Sequence, residues 1–169
     1  MISIVVSGPE STGKSTLTRA LANAFRCVGV NEYARDYISR LRRPYAASDV
    51  ETIANRQLAV FRMMMKNEPM VIFDTFLIIT KVWFQEVFGY CPIWLHDAIR
   101  NNKPSLVLLC FPDIAWEPDP LRENGDRRDY LFDCYKSELN RYRIEWREVS
   151  GVGECRIQNA ILHIEDFLK

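Results

Sequence analysis

The chain has 169 residues, of which 48% are apolar and 26% are charged, a composition typical of a globular domain and not of a disordered or fibrous chain. Lysine and arginine total 22, as do aspartate and glutamate, so no basic excess exists to neutralise a nucleic-acid backbone. The apolar runs, such as 106–111, are far shorter than the ~20 residues that span a bilayer. We therefore expect neither nucleic acid nor a membrane as a partner.

Short apolar runs alternate with amphipathic helical patterns along the chain. The runs predict strands at 2–6, 27–30, 70–73, 106–111 and 148–150. The helical patterns cover 17–25, 50–65, 131–146 and 157–168, and Ser48 and Glu51 form a capping-box pattern before the second of them. This alternation predicts an α/β fold with a central five-stranded parallel sheet covered by helices on both faces.

The first residues of the chain and its cysteines indicate the cellular compartment of the protein. Residues 1–6 lack a basic segment and lead into a glycine-rich turn, which indicates a first strand instead of a secretory signal and predicts a cytoplasmic protein. The five cysteines are widely spaced without a Cys-x-x-Cys pair, which predicts reduced thiols. His96 and His163 lie alone in helical segments, so no zinc site is expected. The sequence leaves a homo-oligomer open.

Residues 8–15, Gly-Pro-Glu-Ser-Thr-Gly-Lys-Ser, match the G-x-x-x-x-G-K-[ST] motif between the first strand and the first helix. Glycines in this phosphate loop let successive backbone N–H groups surround phosphate oxygens, and the lysine contacts the β and γ phosphates. The motif serine suits a Mg²⁺ ion, and the following threonine can support the α phosphate. ATP or GTP with Mg²⁺ is therefore the expected ligand. The predicted nucleotide-binding residues are Gly8, Glu10, Ser11, Thr12, Gly13, Lys14, Ser15 and Thr16.

Two acids follow predicted strands at the sheet edge where the phosphate loop lies. Asp74 directly follows the third strand, where a carboxylate can hold Mg²⁺; the alternative is an ordinary turn or cap residue. Glu32 follows the second strand, where it can act as general base or orient an acceptor hydroxyl. The alternative is a solvated glutamate that stabilises a helix start.

The segment 112–128 is rich in proline and charge, which predicts a loop or lid after the fourth strand. Its arginines, Arg122, Arg127 and Arg128, can neutralise charge on a transferring phosphoryl group, or else pair with the segment's own carboxylates. Trp116 is suited to stacking on a flat or cationic ring, or to anchoring the loop. Aromatic residues on the preceding helical stripe are expected to pack in the core: Trp83, Phe84 and Phe88.

Several segments together resemble one family, the ribosylnicotinamide kinase domain of NadR-type proteins, within the P-loop kinases. They are residues 8–15, Asn-Glu-Tyr-Ala-Arg-Asp-Tyr at 31–37, Phe-Asp-Thr at 73–75 with Thr80 and Trp83, and Trp-Glu-Pro-Asp-Pro-Leu-Arg at 116–122. The resemblance implies a P-loop NTPase three-layer sandwich with an arginine-containing lid. It also implies ATP-dependent phosphorylation of the ribose 5′-hydroxyl of nicotinamide riboside, which gives nicotinamide mononucleotide for NAD salvage.

The resemblance assigns roles to particular residues. Trp116 stacks on the nicotinamide ring, Glu32 faces the acceptor hydroxyl, and Asp119 and Arg35 hold the ribose and its surroundings. Gly151, after the fifth strand, lies near adenine. The full set that it implies for the substrate is Glu32, Tyr33, Arg35, Trp116, Asp119 and Arg122, and the set for phosphoryl transfer is Lys14, Glu32, Asp74, Arg122, Arg127 and Arg128.

The sequence departs from the family pattern at Phe76, where members often carry an acid two positions after the strand-end aspartate. Since residues 1–169 are taken up by the kinase pattern, we expect one kinase domain with a lid at about 112–128, and no repressor or adenylyl-transfer role. Two other interpretations remain. The protein could be a kinase for another nucleoside or nucleotide, or a nucleotide-dependent ATPase or switch that acts on a protein partner.

Overall fold

The structure, a computed structural model, describes residues 1–117 and 125–169. Within them, five parallel strands form one sheet in the order β2-β3-β1-β4-β5. Their bounds are Ile2–Ser7 (β1), Val28–Val30 (β2), Met70–Asp74 (β3), Leu106–Cys110 (β4) and Trp146–Val149 (β5). The predicted parallel sheet is confirmed, and its central strand β1 leads into the phosphate loop.

Helices connect the strands, because parallel neighbours need long crossovers. Their bounds are Lys14–Ala24 (α1), Tyr33–Ser39 (α2), Ala47–Asn67 (α3), Leu77–Trp83 (α4), Ile93–Asn101 (α5), Arg128–Tyr142 (α6) and Glu154–Phe167 (α7). A π-helix at Phe84–Phe88 continues α4, and a 3₁₀ turn at Gly125–Arg127 precedes α6. In the part of the chain that the structure describes, no helix is both long and apolar enough to cross a membrane.

The sheet is buried on both faces, because successive strand residues point to opposite sides. Val5, Phe73 and Leu109 belong to the larger cluster, which includes apolar residues of α3, α4, α5 and α6. Ile72 and Leu108 belong to the second cluster, which α1 and α7 complete. The arrangement is a three-layer α/β sandwich, as predicted.

Two predicted boundaries are wrong. The helical stripe ends at Tyr142 and not at 146, because Arg143 adopts a left-handed conformation (φ 52°) that ends α6, and Trp146 then begins β5. The predicted capping box at Ser48 does not form either. Helix α3 begins at Ala47, and the Asp49 carboxylate accepts the backbone N–H of residue 46 at 2.7 Å.

Candidate active site

The phosphate loop is packed tightly between β1 and α1 by its two glycines. Gly8 has φ +140°, and a Cβ there would lie 2.8 Å from the carbonyl oxygen of Cys110 on β4. Gly13 has φ +76°, and a Cβ there would lie 3.2 Å from Cδ1 of Ile114. A larger residue at either position would strain the backbone and push the loop away from its neighbours. The loop therefore keeps its shape through contacts with β4 and the segment that follows it.

Two side chains of the loop bind its own backbone. The Thr12 hydroxyl and the Lys14 ammonium both donate to the carbonyl of Pro9, at 2.8 and 2.7 Å. Lys14 is also the first residue of α1, so its charge lies at the positive end of the helix dipole. Backbone N–H groups, a lysine and a helix start meet here, and this combination binds phosphate.

Ser15 and Asp74 come together beside the loop. Asp74 ends β3 directly opposite Val6 of β1, and its side chain is only 4% exposed. Its carboxylate accepts a hydrogen bond from the Ser15 hydroxyl, while its Oδ1 atom is buried without a partner. Burial raises the pKa of Asp74, and the Ser15 hydrogen bond and the Lys14 charge oppose that rise. A buried carboxylate oxygen without a donor fits an incoming cation.

Glu32 lies between β2 and α2, close enough to the loop to interact with its charges. Burial raises the pKa of Glu32; Lys14 lowers it and the charge of Asp74 raises it. The structure thus brings the two predicted acids and the predicted lysine to one place. A carboxyl group with a raised pKa beside a phosphate-binding lysine is typical of a proton acceptor at a reaction centre.

Lys14, Ser15 and Glu32 line one cavity of about 360 Å³, which we call the central cleft, while Asp74 lines a neighbouring cavity of about 200 Å³ that Glu32 also borders. The predicted residues Glu10, Ser11, Thr16, Arg35 and Arg127 also line the central cleft. The walls opposite the phosphate loop come from α2, α3, α4 and α6, and they carry apolar side chains such as Ile38. The cleft is therefore polar at the phosphate loop and largely apolar beyond it, which suits a ligand with a charged end and a flat end.

Several cleft residues were missed from the sequence. The Thr80 hydroxyl donates to Gln57 Oε1 at 2.7 Å, and the Gln57 amide donates to the Thr75 hydroxyl at 3.5 Å. Thr75 follows Asp74 with φ 68°, a conformation that a β-branched residue rarely adopts. Trp83 also lines the cleft, although core packing was predicted for it. Thr75, Thr80 and Trp83 belong to the segments that carry the family resemblance but were given no role in ligand binding. Gln57 looks like an ordinary residue of an amphipathic helix, so no local signal marks it.

Arg156 is a second group that sequence reasoning missed. It is 3% exposed and donates to the carbonyls of Thr12, Phe111 and Gly151, at 3.0, 3.0 and 2.7 Å. It also forms an ion pair with Asp113, which accepts the backbone N–H of Gly151 at 2.6 Å. One arginine therefore joins the phosphate loop to the segments that follow β4 and β5. In the sequence it is one charged residue beside an apolar helical stripe.

The described ends of the predicted lid lie against the phosphate loop. Arg128 donates to the carbonyl of Ile114 at 2.7 Å and contacts that of Ser11 at 3.4 Å. Arg127 is at the rim of the central cleft, where it pairs with Glu86 at 2.5 Å. Arg128 thus contacts the phosphate loop, and Arg127 lines the cleft that the loop also lines.

The remaining predicted residues lie elsewhere. The Trp116 ring packs against Gly125, where a Cβ would come within 2.8 Å of it, and is not among the cleft-lining side chains described. Tyr33 lines a neighbouring cavity of about 200 Å³. Gly151 accepts a hydrogen bond from Arg156, which also donates to the carbonyl of Thr12 in the phosphate loop. Phe76 is buried against Phe61, with ring centroids 4.4 Å apart. Asp119 and Arg122 lie outside the described residues.

Known proteins resemble this chain in sequence and in fold. It is 26% identical over 161 residues to the trifunctional NAD biosynthesis/regulator protein NadR of Escherichia coli (strain K12), covering 92% of this chain and 38% of that protein. The NadR protein of Salmonella typhimurium (strain LT2) is 28% identical over 132 residues, covering 75% of this chain and 32% of its own length. The chain therefore spans about a third of the length of the curated relatives that it matches.

Solved structures show the same fold. A crystal structure of NadR protein in complex with NR superposes with a TM-score of 0.79 at 21% identity, covering 98% of this chain and 51% of that one. A deoxyadenosine kinase from M. mycoides superposes with a TM-score of 0.65 at 13% identity, covering 98% of this chain and all of that one. At these identities the likeness establishes the P-loop kinase fold. The family model of the AAA domain, AAA_28, matches residues 3–156, and this chain, with its phosphate loop and parallel sheet, belongs to that family of nucleotide-binding P-loop domains.

Proposed function

We propose that the protein is an ATP-dependent kinase that phosphorylates the ribose 5′-hydroxyl of nicotinamide riboside, giving nicotinamide mononucleotide for NAD salvage. The observation that carries this proposal is the central cleft, where the phosphate loop and Glu32 border one space of about 360 Å³. Cavities of this size hold small-molecule ligands. The similarity to NadR proteins supports the choice of acceptor.

In the proposed reaction the loop N–H groups and Lys14 bind the ATP phosphates, and Glu32 accepts a hydrogen bond from the acceptor hydroxyl. The acceptor oxygen bonds to the γ phosphorus as the bond from that phosphorus to the bridging oxygen breaks, and ADP leaves. Phosphoryl transfer through a loose transition state depends on positioning and on charge neutralisation. The raised pKa of Glu32 makes its carboxylate a stronger base than an exposed glutamate, so it can take the hydroxyl proton as the new O–P bond forms. Arg127, Arg128 and Arg122 are proposed to contact the phosphates from the lid, and Gly151 to lie near adenine.

Ser15 and Asp74 are the proposed Mg²⁺ ligands, because the buried Oδ1 of Asp74 has no protein partner. When bound, the ion would neutralise phosphate charge at the transfer site. We place the reaction in the cytoplasm and assign it to residues 1–169 acting as one kinase domain, with the lid at 112–128. Tyr33, Arg35, Trp116 and Asp119 remain proposed substrate contacts.

A coupled ADP-release assay with MgATP tests the proposal. Nicotinamide riboside, nicotinic acid riboside and the common nucleosides serve as acceptors, and mass spectrometry identifies the product. We expect ADP release that depends on nicotinamide riboside, and its loss in Lys14→Ala, since the lysine neutralises transferring charge. The matched control is Lys103→Ala, an exposed lysine away from the cleft. Full activity in Lys14→Ala contradicts the proposal.

A kinase for another nucleoside is the second candidate, favoured by the likeness in fold to deoxyadenosine kinase. The same assay separates the two, because a deoxynucleoside would then stimulate ADP release more strongly than nicotinamide riboside. ADP release that no acceptor stimulates would favour a nucleotide-dependent switch.

A further inference from the structure

Two of the arginines proposed to contact phosphate belong to the described residues, and their surroundings differ. The Arg128 guanidinium donates to the carbonyl of Ile114 at 2.7 Å, and Arg128 is not among the residues that line the central cleft. Arg127 lines the same cleft as Lys14 of the phosphate loop. Of these two arginines, Arg127 is therefore the one whose charge borders the space for the phosphates.

Two side chains hold the guanidinium of Arg127. Its Nη2 atom donates to Oε2 of Glu86 at 2.5 Å, and its Cζ atom lies 4.9 Å from the ring centroid of Tyr130. The Tyr130 hydroxyl donates in turn to Oε1 of Glu86 at 3.0 Å. The carboxylate thus accepts one of these hydrogen bonds on each of its oxygens. We call this set of three side chains, Glu86, Arg127 and Tyr130, the arginine clamp.

The arginine clamp keeps its donors at the pH of an enzyme assay. Hydrogen bonds with Cys134 and Glu86 raise the pKa of Tyr130 to about 12, so the phenol stays protonated and can donate. The hydrogen bond to Glu86 also raises the pKa of Arg127. A guanidinium has five N–H donors, and Glu86 takes a bond from only one of the two terminal nitrogens. The rest of the planar fork can therefore bind phosphate while Glu86 holds it.

A buried ion pair fixes the helices that carry the arginine clamp. Glu86 lies in the π-helix that continues α4, and Tyr130 lies in the first turn of α6. Lys81 is fully buried; it donates to Gln85 of the π-helix at 2.8 Å and pairs with Glu138 of α6 at 2.7 Å. Removing one partner of such a pair is strongly destabilising, so the two helices keep their relative position.

We infer that Glu86 and Tyr130 are positioning residues that hold the guanidinium of Arg127 in place for the transferring phosphoryl group. The inference rests on the proposed kinase function and adds two residues that act through Arg127. A positive charge stabilises a loose transition state most when its position is fixed beforehand, because no group then has to reorganise during the reaction. Contacts on an edge and on the face of the guanidinium fix it in this way.

Steady-state kinetics with double variants test the inference. Glu86→Gln lowers kcat on the order of tenfold with little change in either KM, because the positioned charge acts in the transition state. Tyr130→Phe keeps the ring, removes one hydrogen bond and lowers kcat about threefold. In an Arg127→Ala background neither substitution has a further effect, since both residues act through that arginine. Glu145→Gln, which removes an exposed partner of Arg147, is the matched control.

The outcomes separate the inference from the proposed function. Riboside-dependent turnover in the wild type with an unchanged kcat in Glu86→Gln overturns the inference and leaves the kinase function in place. An effect on KM alone, or a loss that persists in the Arg127→Ala background, overturns it as well. A higher kcat in Glu86→Gln also does so, because Glu86 would then hold Arg127 away from the phosphates. If Glu86→Gln does not fold, Tyr130→Phe decides by the same criteria. No turnover with any acceptor in the wild type removes the proposed function, and the inference with it.

Discussion

Asp74 lies in a place that disfavours a charged carboxylate. Its carboxyl is 4% exposed, one oxygen has no partner, and burial raises its pKa above the ordinary value of 3.8. An acid with a raised pKa in the folded state stabilises the fold only while it is protonated, so that contribution is lost as pH rises through the folded pKa. Above that pKa, the ionised carboxylate beside the phosphate loop therefore lowers the stability of the fold.

Asp74→Asn should restore the stability that the fold loses when the buried Asp74 carboxyl ionises. In metal-free protein at pH 8 we expect its Tm to exceed the wild-type value by a few degrees, and we expect the difference to shrink as pH falls toward 4. Turnover should be lost in the same variant. Thermal melts across pH measure this, with Asp166→Asn, an exposed aspartate near the chain end, as control. If Asp74→Asn were less stable than the wild type at pH 8, other groups in the fold would have to stabilise the Asp74 carboxylate, and the prediction would be wrong.

At the scale of elements, Asp49 fixes the corner between α2 and α3. Its carboxylate accepts hydrogen bonds from Arg43 at 2.7 and 2.8 Å, from Tyr37 at 3.0 Å and from the backbone N–H of Ala46. The Arg43 hydrogen bond is the main reason that the pKa of Asp49 lies far below its ordinary value. This corner positions α2, which begins next to Glu32.

Asp49→Asn should destabilise the protein at pH 7. A carboxyl whose pKa is lowered by folding contributes stability above its unfolded value of 3.8, and that contribution is lost as pH falls. Urea unfolding should therefore show a difference from wild type that is largest near neutrality and shrinks in acid. Asp97→Asn, whose exposed ion pair with Arg100 spans one helical turn, should cost little at any pH. Equal effects of the two variants would refute the assignment.

At the scale of the whole molecule, Arg156 connects the loops at the edge of the sheet. It binds carbonyls in the phosphate loop, after β4 and after β5, so three strand ends share one side chain. Removing one partner of a buried ion pair costs about 3–5 kcal/mol. The shape of the phosphate loop therefore depends on a helix that begins at Glu154, 140 positions after Lys14.

We expect Arg156→Ala to lower the Tm by about 10 °C and to weaken ATP binding, because the Thr12 carbonyl loses its donor. Arg156→Lys should be more stable than Arg156→Ala but less stable than the wild type. The lysine ammonium cannot reproduce the planar guanidinium that donates to three carbonyls at once. Calorimetry and nucleotide titration measure both effects. Arg147→Ala, which breaks an exposed pair with Glu145, is the control and should shift the Tm little. Unchanged nucleotide affinity in Arg156→Ala would limit its role to stability.

Local sequence patterns were sufficient to predict the parallel sheet, the phosphate loop and the positions of Glu32 and Asp74 after strand ends. Each depends on a local pattern: an apolar run of strand length, a contiguous motif, or an acid directly after a strand. Parallel strands bring their carboxyl ends to one edge, so local order was enough to place these groups together. The end of α6 and the start of α3 were predicted wrongly. The left-handed backbone of Arg143 sets the first, and the Asp49 carboxylate, which accepts the backbone N–H of Ala46, sets the second.

Which other side chains join the site depends on packing between distant parts of the chain. Gln57 and Thr80 are 23 positions apart, and Arg156 and Thr12 are 144 apart, so no window of the sequence contains either pair. Trp83 and Phe84 are neighbours in one apolar helical stretch, yet Trp83 lines the cleft and Phe84 is buried in the core. Periodicity predicts that a residue lies on an apolar face, but only the packing of helices against the sheet determines whether that face meets the core or the cleft.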